Sequence, residues 1–153
     1  MPNVLDIYNR CSRLPMGQMI FSRLVCFNAP YFGSIRPRFQ KLTPGRCRIR
    51  MKKRRSVTNH IGSVHAIAMC NLAELAAGTM VEVSLPKTMR WIPKGMTVAY
   101  EAIARTDLTA DCEIDLARLD TPGECPIRVT VRDTAGQTVF TADISMYLSP
   151  KKK

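Results

Sequence analysis

The chain has 153 residues, which is the size of one domain, and its 46% hydrophobic content excludes a disordered protein. Its 23 Lys and Arg residues outnumber 12 Asp and Glu residues, so the formal net charge is +11. Residues 1–73 carry 13 basic residues and one acidic residue, Asp6, whereas residues 74–153 carry 10 basic and 11 acidic residues. This asymmetry predicts either a solvated basic surface or a polyanionic partner, such as nucleic acid, membrane headgroups or a phosphorylated small molecule.

The chain start and the cysteine pattern both favour a cytoplasmic protein. We expect no secretory signal, because no basic region followed by an apolar run opens the sequence. We also expect no membrane span, because polar or charged residues interrupt every apolar stretch before it reaches about 20 residues. The six cysteines lack C-x-x-C spacing and have only two histidines to join them, so we expect reduced, buried thiols and no metal site.

The N-terminal residues are predicted to form two helices that cover the edge or end of a sheet. In residues 3–14, apolar side chains recur at helical spacing until Pro15 ends the first helix. A second helical pattern runs over residues 16–27 and is broken after Asn28.

Two predicted strands precede a long helix. Residues 35–43 have strand character, with Pro37 at an edge or a strand start. Residues 46–53 alternate apolar and basic side chains, which predicts a half-buried strand with a basic outer face. Residues 64–83 are apolar nearly all round, which predicts a helix buried on most sides, with Ser63 as its N-cap.

Three further strands are predicted at residues 96–107, 127–132 and 138–148, where apolar and polar residues alternate. This order favours an α+β fold, in which a curved antiparallel sheet wraps around one apolar helix. One sheet cannot cover such a helix on all sides, so we expect a second subunit to complete the cover. The predicted organisation is a helical segment over residues 1–30, the main domain over residues 31–150 and a basic tail over residues 151–153.

One short segment, residues 57–78, carries the residues that indicate chemistry. Glu74 lies in the middle of the apolar helix, where burial of a lone carboxylate costs several kcal/mol. A catalytic purpose, a solvent-facing gap or an Arg partner would each explain it. His65 precedes Glu74 by nine residues, which is about 13.5 Å of helix and half a turn out of phase. Glu74 therefore reaches a helix N-terminus only in an antiparallel partner, where the amides of residues 64–66 offer an oxyanion site.

These residues resemble the signature of the hotdog-fold acyl-CoA thioesterases. That signature is Asn, then Gly, then His-Gly-Gly at the start of the central helix, then Asp or Glu nine residues past the His. Here it reads Asn59, Gly62, His65 and Glu74, and the 15-residue spacing from Asn to acid also matches. The whole chain looks closest to a branch of this superfamily that is defined as a domain of unknown function and described as thioesterases.

The resemblance implies a hotdog fold, a homodimer or dimer of dimers, and a role for each residue. Glu74 is expected to act across the dimer interface as general base or nucleophile, and the Ala66 amide to donate to the oxyanion. Asn59 is expected to orient substrate or water, and His65 to lie beside the thioester or to hold the loop as a structural histidine. The expected substrate is an acyl-CoA, and no separate cofactor is expected.

Two departures from the family pattern bear on activity. Ala66-Ile67 replaces the glycine pair; Ala66 keeps its amide, whereas Ile67 fills space and is expected to narrow or alter the acyl channel. Gly78 stands where some relatives place a hydroxyl. Arg54, Arg55 and Arg90 are expected to bind substrate, because the Arg guanidinium suits the phosphates of CoA. Gly62 and Ile67 are the other expected substrate-binding residues.

Other functions stay open. The loss of the glycine pair also fits a non-catalytic module that binds acyl-CoA or an acyl carrier protein. A nucleic-acid partner is not expected, because only 7% of residues are aromatic and no basic helix motif is visible. A dehydratase of related fold matches Glu74 less well, and a nucleophilic pair of Cys70 and His65 is poorly aligned on a helix.

Overall fold

An antiparallel sheet of six strands surrounds one long helix, in a computed structural model that describes residues 3–151. The helices are α1 (Val4–Cys11), α2 (Gly17–Asn28) and α3 (Ala66–Ser84), with short 3-10 helices at Pro30–Ile35, Arg55–Val57 and Leu116–Leu119. The strands are β1 (Arg38–Thr43), β2 (Arg46–Met51), β3 (Met89–Tyr100), β4 (Leu108–Glu113), β5 (Gly123–Arg132) and β6 (Thr138–Pro150). Their order across the sheet is β1-β2-β4-β5-β6-β3, so β1 and β3 are the two edges.

The core is built on α3, as its apolar sequence predicts. Most of its 19 residues are buried, and it contacts all six strands. Within residues 3–151 it is also the one helix long and apolar enough to cross a membrane, but 61% of that apolar window is buried inside the fold. A helix that is apolar on all sides and enclosed by a sheet is a core helix.

The two predicted N-terminal helices are confirmed, and α2 lies against the β1 edge of the sheet. The Phe21 ring packs edge-on against Tyr8 of α1 and Phe39 of β1, with ring centroids 5.0 Å apart in both pairs. Gly17 makes the close approach of the helices possible, because a Cβ there would lie 1.7 Å from the Cys11 carbonyl oxygen.

The strand predicted over residues 96–107 is wrong at both ends, and four strands rather than three follow α3. β3 begins at Met89 and includes Pro93, which an edge strand tolerates because one side of it needs no partner. Its register with β6 shifts between Pro93 and Gly95. The short strand β4 then follows at Leu108, where alternation with Ala and Cys gave a weak signal.

α3 begins at Ala66, two residues after the predicted start, because Val64 is extended and forms an isolated β-bridge. His65, rather than the predicted Ser63, is the N-cap residue. Ser63 lies three residues before the first helical residue, and its hydroxyl accepts a hydrogen bond from the Asn59 side-chain amide at 2.8 Å.

The basic outer face predicted for β2 is confirmed, but acidic residues neutralise it. Arg48 lies opposite Asp111 of β4 and donates two guanidinium hydrogen bonds to it. Arg50 pairs with Asp107 at 2.7 Å. Carboxylates from the second half of the chain therefore already occupy the arginines of β2.

The six cysteines are free thiols; four are buried, and Cys26 and Cys70 are half-buried. Burial, with the nearby Asp111 carboxylate, raises the pKa of Cys112 to about 12. Within the described part of the chain, no three His, Cys, Asp or Glu side chains come together as a metal site requires.

Candidate active site

The loop before α3 is held by Asn59. Its side-chain oxygen accepts the N–H groups of Ile61 and Ser63 at 3.2 and 3.1 Å, and its amide nitrogen donates to the Ser63 hydroxyl. Gly62 completes the turn in the left-handed region, with φ +76°, where other residues are strained. The Asn59 side chain therefore shapes the loop that positions the start of α3.

Of the three amides expected to be free at this helix start, one remains. The Val64 N–H donates to the Ala104 carbonyl, and the His65 N–H donates to the Val57 carbonyl, each at 2.8 Å. The Ala66 N–H has no acceptor within residues 3–151. Ala66 is thus the available donor at the positive end of the helix, where an anion is favoured.

His65 and Ile67 flank this amide. The His65 Nδ1 atom accepts the Ile67 N–H at 3.1 Å, which is the arrangement of a structural histidine at a helix start. The Ile67 side chain is 54% exposed, so within one chain it borders solvent. Its predicted effect on an acyl channel applies only where another molecule covers it.

Glu74 is half-buried and faces a cleft of about 430 Å³ between the N-terminal helices and α3. Apolar side chains from α1, α2 and the following turn, including Ile7, Val25 and Phe32, line the opposite wall. No Lys or Arg among the described residues forms an ion pair with Glu74. Of the three explanations for a carboxylate on this helix, the Arg partner is therefore excluded within the described chain.

Three side chains at the cleft were not among the predicted site residues. Trp91 lies on Gly78, where a Cβ would come within 2.9 Å of the indole, and its N–H donates to Glu82 at 2.7 Å. Thr79 donates its hydroxyl to the Leu75 carbonyl at 2.7 Å. An indole ring thus occupies the place where some relatives have a hydroxyl. Glu82 follows Gly78 by four residues, so helical spacing was a usable signal for it.

Asn71 is a second polar side chain on α3 that sequence reasoning left without a role. It is 5% exposed and donates to the Ser34 hydroxyl at 3.1 Å. Its side-chain oxygen has no partner among the described residues. Asn71 stands one helical turn before Glu74, and a lone amide in so apolar a helix was the available signal.

The three arginines expected to bind substrate lie at opposite ends of α3. Arg54 and Arg55 stand just before or within the 3-10 helix beside the α3 start, and Arg90 follows the other end, about 28 Å along the helix axis. Arg54 already donates to the Ser34 carbonyl and the Ser56 hydroxyl. One chain alone therefore does not bring these three guanidinium groups to one ligand phosphate.

Comparison with known proteins identifies the family of this chain. The sequence model named Domain of unknown function (DUF4442) matches residues 17–148. The chain belongs to the DUF4442 family. The structural-genomics target APC5556, known from a crystal structure, is 41% identical in sequence to this chain. The two structures superpose with a TM-score of 0.87, and the alignment covers 97% of this chain and 99% of that chain. No curated protein matches this DUF4442 chain significantly.

More distant solved structures share the fold. One is a protein of unknown function from Pseudomonas aeruginosa, PA5026, described as a "Probable Thioesterase"; it is 24% identical, with a TM-score of 0.78 over 90% of this chain and 97% of its own. Another is the thioesterase HI1161 from Haemophilus influenzae, 11% identical, with a TM-score of 0.72 over 83% of this chain and 87% of its own. The predicted hotdog fold of this DUF4442 protein is confirmed.

Proposed function

We propose that this DUF4442 protein hydrolyses the thioester of an acyl-CoA at a site built from two copies of the chain. The observation that carries the proposal is a pair of available groups on one helix: the Ala66 amide without an acceptor, and the Glu74 carboxylate without a cation. They are eight residues apart, or about 12 Å, too far to act together within one chain. The thioesterase descriptions of its structural neighbours support the reaction class.

The dimer is supported by β3, which is an uncovered edge strand. Nearly every residue from Ile92 to Tyr100 is exposed, including the apolar Ile92 and Met96. A long exposed edge of this kind is a template for pairing with another strand. Antiparallel pairing of β3 with its copy about a two-fold axis joins the two sheets and sets the α3 helices side by side in opposite directions. Each Glu74 then approaches the helix start of the other copy.

The reaction follows from these two groups. Glu74 takes a proton from a water molecule, whose oxygen attacks the thioester carbonyl carbon. The carbonyl oxygen gains negative charge and accepts the Ala66 N–H of the other copy, with help from the helix dipole. The C–S bond then breaks, and the CoA sulfur takes the proton from Glu74, which leaves a carboxylic acid and free CoA. If Glu74 attacks directly, an acyl anhydride forms first, and water hydrolyses it to the same products.

CoA phosphates are assigned to the arginines that lie near the proposed site. Arg55 is exposed beside the α3 start, since Val57 at the end of its 3-10 helix accepts the His65 N–H. In an antiparallel pair, Arg90 of the other copy approaches the same region. We give Arg54 a supporting role, because its guanidinium is already bonded to neighbouring oxygens.

The first test is turnover of a panel of acyl-CoAs by the wild type and by Glu74→Gln. We expect the variant to lose about a hundredfold or more in kcat/KM, because the amide cannot take a proton. Glu113→Gln, at an exposed carboxylate far along the chain, is the matched control and keeps wild-type turnover. Undiminished turnover in Glu74→Gln contradicts the proposal, and loss in Glu82→Gln alone moves the base to Glu82.

The second test separates a shared site from a site within one chain. Ala66→Pro removes the proposed oxyanion donor, and proline is favoured at the first position of a helix. His65 already has the extended backbone, φ −65° and ψ 139°, that a residue before proline requires. Alone, Ala66→Pro and Glu74→Gln are expected to be inactive.

Mixed dimers of these two variants hold one intact site, because one copy supplies Glu74 and the other supplies the Ala66 amide. Statistical mixing predicts recovery of about a quarter of wild-type turnover. No recovery in dimers shown to have exchanged subunits contradicts the shared site. Tight acyl-CoA binding without turnover in the wild type favours the alternative, a non-catalytic acyl-CoA or acyl-carrier-protein binding module, which the exposed Ile67 beside Ala66 also fits.

A further inference from the structure

The solvent-facing side of α2 is apolar, which is unusual for a helix on a protein surface. Met16, Ile20, Leu24 and Phe27 fall within an arc of about 80° on the helix. All four are exposed, Phe27 to 84%, and Tyr31 just beyond the helix is 70% exposed. We name these five residues the α2 stripe. Because α2 packs on β1, at the sheet edge opposite β3, the proposed dimer contact gives the stripe no cover.

An arginine-lined cavity adjoins the stripe. It has a volume of about 550 Å³, and Arg23 of α2, Arg36 and Arg38 line it together with Met19. None of these arginines forms an ion pair within residues 3–151. Burial and the charge of Arg36 lower the pKa of Arg54, so the positive charges at this place are close enough to repel one another.

No acidic residue occurs between Asp6 and Glu74, so the segment that forms this surface holds no counter-charge of its own. Two residues of this surface have strained backbone conformations. Met16 and Arg36, with φ of 60° and 45°, are the two non-glycine residues of the described chain in the left-handed region. Such conformations cost free energy and persist where the surrounding structure holds them for a purpose.

We infer that the α2 stripe and the arginine cavity together form a docking surface for an anionic phospholipid bilayer. Apolar side chains of a helix lying in the membrane plane enter the acyl-chain boundary, and its arginines bind lipid phosphates. Phe27 and Tyr31 suit the headgroup level, where aromatic side chains are enriched.

Charge and shape argue against other occupants. A second copy placed on the stripe with its α2 antiparallel would bring Arg23, Arg36 and Arg38 to the same side as their own copies. The stripe lies on the exposed surface of a helix, which a fluid bilayer accepts without a matching groove. This inference is independent of the proposed hydrolysis, because none of its residues contributes to the Glu74 site.

The test is co-flotation of the full chain with vesicles of phosphatidylcholine alone and of phosphatidylcholine mixed with phosphatidylglycerol. We expect binding to the mixed vesicles that weakens as salt is raised. Replacing all three arginines by Gln should weaken it about a hundredfold, at roughly fivefold for each. Leu24→Ser with Phe27→Ser should weaken it at least tenfold, because two inserted apolar side chains are lost.

Matched controls come from residues outside the α2 stripe and the arginine cavity. Leu116→Ser removes a leucine that is 44% exposed, against 43% for Leu24, and Arg105→Gln removes an exposed arginine that has no ion pair within the described chain. Both should bind vesicles as the wild type does. Glu74→Gln should also bind normally, which separates this inference from the proposed hydrolysis.

Several outcomes would overturn the inference. They are no flotation with mixed vesicles, equal loss in the control variants, or binding that inorganic phosphate abolishes while the stripe variant binds normally. The last result would mark the cavity as a site for soluble anions. A fall in molecular mass of the stripe variant in light scattering, without vesicle binding by the wild type, would assign the stripe to a second copy. Unchanged thermal unfolding of each variant confirms that it folds.

Discussion

Two groups of arginines lie in the first half of the sequence, and they differ in whether acidic residues pair with them. Those of β2 lie across from β4, where Asp111 accepts from Arg48 and Asp107 pairs with Arg50. Those of α2 and β1, with Arg36 between them, line a cavity and have no acidic partner in the described chain. The sequence presents both groups as one acid-free stretch. The fold uses the first group to join two strands and leaves the second group facing outward.

The difference shows that net charge locates a ligand only after the chain has paired its own charges. The acidic residues that neutralise β2 come about sixty positions later, from a strand that sequence alternation hardly marks. After pairing, the positive charge of these two groups that remains lies at the edge of the sheet under α2 rather than along β2. An anionic partner is attracted to that remaining charge.

The largest expected effect on stability comes from breaking the ion pairs of the β2 arginines. Asp111→Asn removes the charge that holds Arg48 and lies 3.7 Å from Arg46, while Asp111 itself is only 16% exposed. We expect a loss of about 1–2 kcal/mol in the free energy of unfolding, measured by denaturant titration. Asp143→Asn breaks the more exposed pair with Arg128 and should cost less than about 0.5 kcal/mol. Equal losses in both variants would contradict the distinction.

A second effect is a dependence of stability on pH. The Lys53 N–H, and then the Arg50 guanidinium, hold the pKa of Asp107 below its ordinary value. The ionised form is thus favoured by folding, so its contribution is complete above about pH 4 and is lost as the pH falls below that value. Unfolding at successively lower pH should show a shallower decline for Asp107→Asn than for the wild type. Arg38→Gln should keep the wild-type slope, and a change there would contradict the assignment.

The smallest expected effect is a gain in stability from replacing Arg36, one of the arginines that line the cavity. Arg36→Gly should raise the free energy of unfolding by about 0.5 kcal/mol, because glycine relieves the left-handed backbone but costs more entropy when it folds. It also removes the repulsion of Arg54. Arg38→Gly, in an extended strand, should lower stability instead, by weakening β1. Thermal unfolding distinguishes the two, and destabilisation by both would show that Arg36 is not strained.

Local patterns predicted α3, β2 and β6, whereas they misplaced the edge strand β3 and missed the short interior strand β4. α3 and β2 follow directly from their apolar spacing. β3 breaks the pattern with Pro93 and Gly95, because only its pairing with β6, across a long stretch of sequence, makes it a strand. No local window contains that pairing.

The candidate site divides in the same way. Spacing and resemblance pointed to Glu74 and to the helix-start amide, and the loop geometry leaves Ala66 as the free one. The helix begins later than predicted, because Val64 forms a bridge with Thr58 and its N–H donates to the Ala104 carbonyl, in a segment about forty residues away. Trp91 became part of the cleft only through packing that no spacing rule contains, whereas Glu82 lies one helical turn after Gly78.

The contact between Gly78 and Trp91 makes two distant positions depend on each other. Any side chain at position 78 meets the indole, so a hydroxyl-bearing side chain there requires the indole to shift or a smaller residue at position 91. A smaller residue at 91 would in turn leave Glu82 without its indole donor. A substitution at either position therefore changes the wall of the cleft at the other, so the two positions are coupled.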